Sequence, residues 1–193
     1  MKRTLSLTLA AVALVACSES VPNPTESSRI GVSLASVHLK GGPRAEPSFI
    51  DEGLYLRTRG ELSGLGNEDL RLTLTAKGLV DATCTNPAGA TQPPGQNPAP
   101  VTLTGLQDIP ASEIKNGTVA FNVYTDEPVT PIPGAPECPN PQWTERIIDV
   151  AFTESTMEVE QPTGTLVLTV SCTFSPATSN GAVSAGTVTC TVD

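Results

Sequence analysis

The chain has 193 residues, with 11 Lys and Arg against 20 Asp and Glu, a formal net charge of −9, one His and five Cys. A field of that sign repels nucleic acid and anionic headgroups, which excludes nucleic-acid binding and membrane attachment through a basic patch. With 16 Gly, 18 Pro, 4% aromatics and recurrent Thr and Val, the composition disfavours long helices and suits short strands joined by tight turns.

The chain begins with a positive pair, Lys2 and Arg3, then a weakly polar to apolar run over residues 4–16. A charged start, a short apolar run and small residues before a processing point have the form of an export signal. The run is shorter than the roughly 20 residues a helix needs to cross a bilayer. Its end, Leu14-Val15-Ala16-Cys17, resembles the processing signal of bacterial lipoproteins. The competing reading is an ordinary secretory signal followed by an accidental cysteine. The resemblance implies that residues 1–16 are a signal peptide and that Cys17 is the acylated first residue of the mature chain. It further implies a cell-membrane or, with Ser18 in place of Asp, an outer-membrane anchor, the domain standing in the periplasm or at the cell surface. Loss of Lys2 and Arg3 takes the charge from −9 to −11, so attachment rests on acyl chains, of which two suffice. Polar, Pro-containing residues 17–29 read as a flexible tether. Residues 30–193 are long enough for one core and are expected to form a single β-sandwich domain, clearest from residue 53.

Residues 30–40 alternate as a strand that Gly41-Gly42-Pro43 ends. Leu54 and Leu56 then oppose Tyr55, Arg57 and Arg59, and Leu70, Leu72 and Leu74 oppose Arg71, Thr73 and Thr75, the period of half-buried strands. Segments 80–84, 101–106, 118–125, 145–152, 156–160, 165–174 and 186–192 continue the series. Residues 111–114 are the one helical fragment, a single turn, and Asn116-Gly117 is a hairpin turn signal. Eight or nine strands with no helices between them predict an all-β, immunoglobulin-like antiparallel sandwich.

With Cys17 assigned to lipid, Cys84, Cys138, Cys172 and Cys190 form an even set, expected as two disulfides in an exported chain. Three pairings are possible. Cys172 and Cys190 are symmetric about Gly181, so a hairpin turning there would bring them opposite each other. Cys84 with Cys138 follows by elimination. Zinc would need close ligand pairs that this chain lacks.

Residues 86–100 and 126–142 are Pro-rich, flank a cysteine each, and exceed ordinary connection lengths. They make Gln96, Asn97, Tyr124 and Trp143 the candidate binding residues. The favoured reading of Trp143 itself is a core residue packed on a disulfide; the alternative is an interaction anchor. Around Cys84-Thr85-Asn86-Pro87 and Cys138-Pro139-Asn140-Pro141-Gln142-Trp143 the chain also resembles small exported bacterial proteins of uncharacterised function, which implies no particular activity.

Catalytic patterns are scarce. His38 precedes the clear domain and has no matched nucleophile. Ser112-Glu113-Ile114-Lys115 has the S-x-x-K spacing without the S-D-N and K-T-G elements that accompany it. The carboxylate pairs Asp51-Glu52, Glu68-Asp69 and Asp126-Glu127 lack calcium-loop spacing and read as solvated surface. The expectation is no catalytic residue, metal or cofactor. The function expected is non-catalytic, a binding or structural module at the envelope that meets a protein or glycan. The alternative is an inhibitor of a secreted or envelope hydrolase acting through the braced 86–100 loop.

Overall fold

A computed structural model describes residues 36–42, 44–92, 99–133 and 137–193. The signal, Cys17, the tether, Gln96 and Asn97 lie outside the described residues. Eleven strands follow in order: β1 His38–Leu39, β2 Ser48–Asp51, β3 Leu56–Ser63, β4 Leu70–Thr85, β5 Thr91–Gln92, β6 Ala99–Ile109, β7 Thr118–Tyr124, β8 Thr144–Glu160, β9 Leu166–Phe174, β10 Gly181–Ala182 and β11 Val188–Val192. They form two antiparallel sheets packed face to face, the expected β-sandwich.

In the first sheet β3 is central, with β7 on one side and β1 and β2 end to end on the other, β10 adding outside β2. In the second, the order is β11-β9-β8-β4, with β5 and β6 sharing the far side of β4. The spine is β4, whose buried residues alternate without a break from Leu70 to Cys84, so that one face enters the core and the other meets water. Beside it in the same sheet, β8 carries Ile147, Val150, Phe152, Met157 and Val159 inward. Phe49 of β2 meets Phe174 of β9 edge to face at 5.0 Å, one of the contacts that bind the two sheets across the core.

The strand count differs from the expected eight or nine for two reasons. Segments too short to show a period, β2, β5 and β10, count as strands because a neighbouring ladder holds them. Conversely β8 is one strand where the pattern suggested two, because its register against β4 shifts between Lys77 and Gly78 and between Asp81 and Ala82, and a bulge resets which side chains face inward. Within residues 36–40 of the first expected strand, only His38–Leu39 is paired.

The Asn-Gly turn is present: Asn116 and Gly117 have φ of 53° and 70°, and Lys115 and Thr118 exchange backbone hydrogen bonds, the geometry a two-residue hairpin requires. The turn at Gly181 is not a hairpin. Cys172 and Cys190 do face each other across β9 and β11, but the connection leaves the second sheet. Gly181 pairs with Asp51 in the first sheet before the chain returns.

Candidate functional site

Both disulfides join the expected residues, Cys172 with Cys190 favoured by spacing and Cys84 with Cys138 by elimination. Cys172–Cys190 links directly opposed positions with Cα atoms 4.1 Å apart, as in a non-hydrogen-bonded antiparallel pair. Cys84–Cys138 ties the end of β4 to the long connection between β7 and β8. Two disulfides fit a protein that matures in an oxidising compartment, extracellular or periplasmic.

That connection is pinned at each stage. Thr125 is buried; its N–H donates to the Leu56 carbonyl and its Oγ1 accepts from Leu56 N–H. Asp126 N–H then donates to Thr104 O on β6. Ile132 inserts into the core at 4% exposure, with its N–H donating to Glu145 Oε2 at 3.2 Å. After Cys138, Asn140 Oδ1 accepts from Gln142 N–H and Asn140 O from Trp143 N–H, an Asx turn that leads into β8.

These ties leave a groove of about 360 Å³ lined by Thr130, Glu137, Asn140, Trp143, Thr144 and Glu145, with the Cys138 disulfide at its wall. Trp143 is half-buried and is not part of the hydrophobic core, which corrects the core reading of this residue. Its position follows from Cys138: the connection is braced outside the sandwich, and the indole next to it has the groove to fill. Hydroxyl, amide and carboxylate groups around a partly exposed indole can hold a ligand by stacking and directed hydrogen bonds.

Tyr124 lines neither this groove nor a smaller one of about 200 Å³ between Pro100, Leu103, Pro128 and Val129. It stands on the outer face of the first sheet, 39% exposed. Its hydroxyl accepts from Asn122 Nδ2 at 2.8 Å and from Arg57 at 3.5 Å, and the Arg57 guanidinium lies 5.7 Å from its ring. The hydrogen bond from Arg57, helped by that from Asn122, holds its phenol below the usual tyrosine range. Arg57 is in turn paired with Glu52 at 3.0 Å. The structure therefore does not bring Tyr124 and Trp143 into one site.

The described part of the other long segment is partly ordered by pairing: Thr91–Gln92 oppose Cys84–Thr85, and Asn86 Oδ1 accepts from Ala88 and Ala90 N–H. His38 is exposed, with Nδ1 2.7 Å from Ser36 O. Lys115 Nζ donates to the Ser112 carbonyl rather than to its hydroxyl. Among the described residues no three His, Cys, Asp or Glu side chains gather as metal ligands, and no helix is long and apolar enough to cross a membrane.

One carboxylate departs from the solvated-surface expectation. Asp51 is 1% exposed, accepting from Gly53 N–H at 2.9 Å and from the Thr178 hydroxyl, while Thr178 Oγ1 also accepts from Phe152 N–H. Burial pushes its pKa up against the opposing hydrogen bonds, and the nearby charges of Asp149 and Glu52 push the same way. Glu68, Asp69, Asp126 and Glu127 are exposed as expected.

Comparison of the chain with protein-family models, with curated proteins and with solved structures gives no match. Sequence reasoning missed Glu137, Asn140 and Glu145 as groove residues. Asn140-Pro141 carried a turn signal, but nothing local to Glu145 points to Ile132, thirteen residues away.

Proposed function

We propose that this chain is a cell-envelope lipoprotein, anchored through acyl chains on Cys17, whose β-sandwich is a non-catalytic binding module for an envelope protein or glycan. The observation that carries the binding role is the groove beside Trp143, held open by the Cys84–Cys138 link and the buried Ile132. Residues 137–143, which have no strand pairing, are tied to β4 by that link, which in the chain-entropy model restricts the unfolded chain by about 4 kcal/mol for a separation of 54 residues. A pre-ordered aromatic surface binds with less entropic loss than a loop that must fold on its partner. The lipobox resemblance and the disulfides support the address.

Two measurements test this. Cys17→Ser is expected to move the protein from the membrane to the soluble fraction; tight membrane retention of that variant counts against the anchor. The full chain in detergent is expected to retain a component of envelope extract, and Trp143→Ala to weaken that binding tenfold or more, the scale of an aromatic hot spot. Binding unchanged by Trp143→Ala would overturn the groove as its site. A second reading, inhibition of an envelope or secreted hydrolase, is favoured by the Asn86 turn, which holds residues 86–90 next to Cys84 of the same disulfide. Stoichiometric inactivation of a captured hydrolase would select it.

A further inference from the structure

β11 is an outer strand of the second sheet: among the described residues its one partner in the ladder is β9. Thr169 and Asp193 exchange backbone hydrogen bonds at 2.9 Å in both directions. Antiparallel pairing alternates, so Thr189, Thr191 and Asp193 turn their backbone groups toward β9, and Val188, Cys190 and Val192 turn theirs to the open side. Val188 N–H is taken by Ala185 O in the turn before the strand. The open side therefore offers the Val188 carbonyl and both backbone groups of Cys190 and Val192. Proteins usually blunt such an edge with Lys, Pro or a bulge. β11 contains none, and its register against β9 runs without a shift.

Two further features say what fits this edge. The strand reads Val188-Thr189-Cys190-Thr191-Val192, the same in both directions about Cys190. In a chain of net charge −9, residues 161–192 contain no charged side chain, the longest such run in the sequence. Two copies of an acidic protein repel least where neither presents charge.

We infer that β11 is the contact between two copies of this chain, paired antiparallel about a two-fold axis at Cys190. The hydrogen-bond phase fits this register. Cys190 N–H and C=O meet those of Cys190 in the second copy, and Val192 N–H meets the free Val188 carbonyl of the second copy, in both directions. Val192, 48% exposed, then lies against the second copy's Val188, which packs partly on its own core. Thr191 comes opposite Thr189 of the second copy. The row Thr104, Thr75, Thr156, Ser171, Thr191 that crosses the outer face of the sheet thereby continues into the other molecule. A self-complementary strand gives an isologous contact, which closes at two copies instead of growing into a filament. This goes beyond the binding role proposed above and does not depend on it.

The full chain in density-matched detergent, followed by sedimentation equilibrium up to on the order of 100 μM, is expected to have the mass of two copies. Val192→Pro removes an N–H that faces away from β9, and is expected to give a single copy with the two disulfides intact. A second arm co-expresses Thr189→Cys and Thr191→Cys chains carrying different tags. Directly opposed positions of this kind are within disulfide reach, so a reducible cross-link between the two tags is expected. A single copy at every concentration without a cross-link overturns the inference. So does a dimer that survives Val192→Pro without cross-linking, since its contact then lies elsewhere. If Val192→Pro fails to fold, the cross-link decides alone.

Discussion

Along the flank where β6 and β7 meet, the two sheets close backbone to backbone. Gly105 stands so near the Tyr124 carbonyl that a Cβ there would lie 1.6 Å from the oxygen, Thr104 O accepts from Asp126 N–H, and Gln107 Oε1 accepts from Asn122 N–H at 2.9 Å. Along the opposite flank the sheets are joined by a crossing chain. Residues 175–187 leave β9, pair with β2 through β10 and return to β11, and the seal is polar: Thr178 Oγ1 sits between Phe152 N–H and the buried Asp51, and Val150 N–H donates to Gly53 O. Direct contact ties the two edges together at Thr104, Gly105 and Gln107 on the first flank. The crossing chain on the second seals the core, and among the described residues the outer edge of β11 has no strand partner.

The largest effect is expected where the backbones touch. Gly105→Ala has no flexible neighbour to displace, because the obstacle is main chain, so it should cost about 3 kcal/mol or more in denaturant unfolding, the upper end of overpacking. A near-neutral result would mean that the β6–β7 flank can open. Next comes the disulfide of the open flank. Replacing Cys172 and Cys190 together by Ala should cost at most about 3 kcal/mol for a separation of 18 residues, and less to the extent that the ladder already holds the strands. Hydrogen exchange should then quicken first in β11 while β4 stays protected.

Thr178→Val tests the polar seal. It strips partners from a buried N–H and a buried carboxylate, at about 2 kcal/mol near neutral pH. The sign of its pH dependence follows from Asp51. Burial raises the pKa of Asp51 in the folded state, so its contribution to stability is fully present below the ordinary Asp value and is lost as pH rises through the raised one. The Thr178 hydrogen bond works against that rise, and without it the carboxylate is harder still to ionise. The cost of Thr178→Val should therefore shrink on acidification, read from unfolding curves at neutral pH and near pH 4. A cost independent of pH would detach Asp51 from the seal. The smallest effect is expected at Gly186, on the same crossing segment, where an added Cβ meets nothing within 4 Å. Gly186→Ala should be neutral or stabilising by about 0.5 kcal/mol, in contrast to Gly105→Ala on the closed flank.

Features governed by local pattern were legible in the sequence. The alternation of β4, the Asn116-Gly117 turn and the symmetric spacing of Cys172 and Cys190 each report on neighbours a strand or a turn away. β8 was harder to read because its bulges shift the period midway, which made one strand look like two. Trp143 resembled a core residue because a lone indole usually is one; its half-exposed place depends on where Cys84 draws Cys138. Asp51 looked like surface charge because a carboxylate pair in a loop normally is, and its partner Thr178 lies 127 residues away.

By itself the sequence determined the all-β class and an even set of cysteines beyond Cys17, and favoured their pairing, because strand periodicity and cysteine count are read directly along the chain. Only the tertiary structure decided that Trp143 lines a groove, that Tyr124 stands on a different sheet, that Asp51 is buried, and that β11 lies at the edge of its sheet among the described residues. Each of these depends on which distant segment comes to lie alongside, and a hydrogen bond or a clash across that distance leaves no periodicity in the chain.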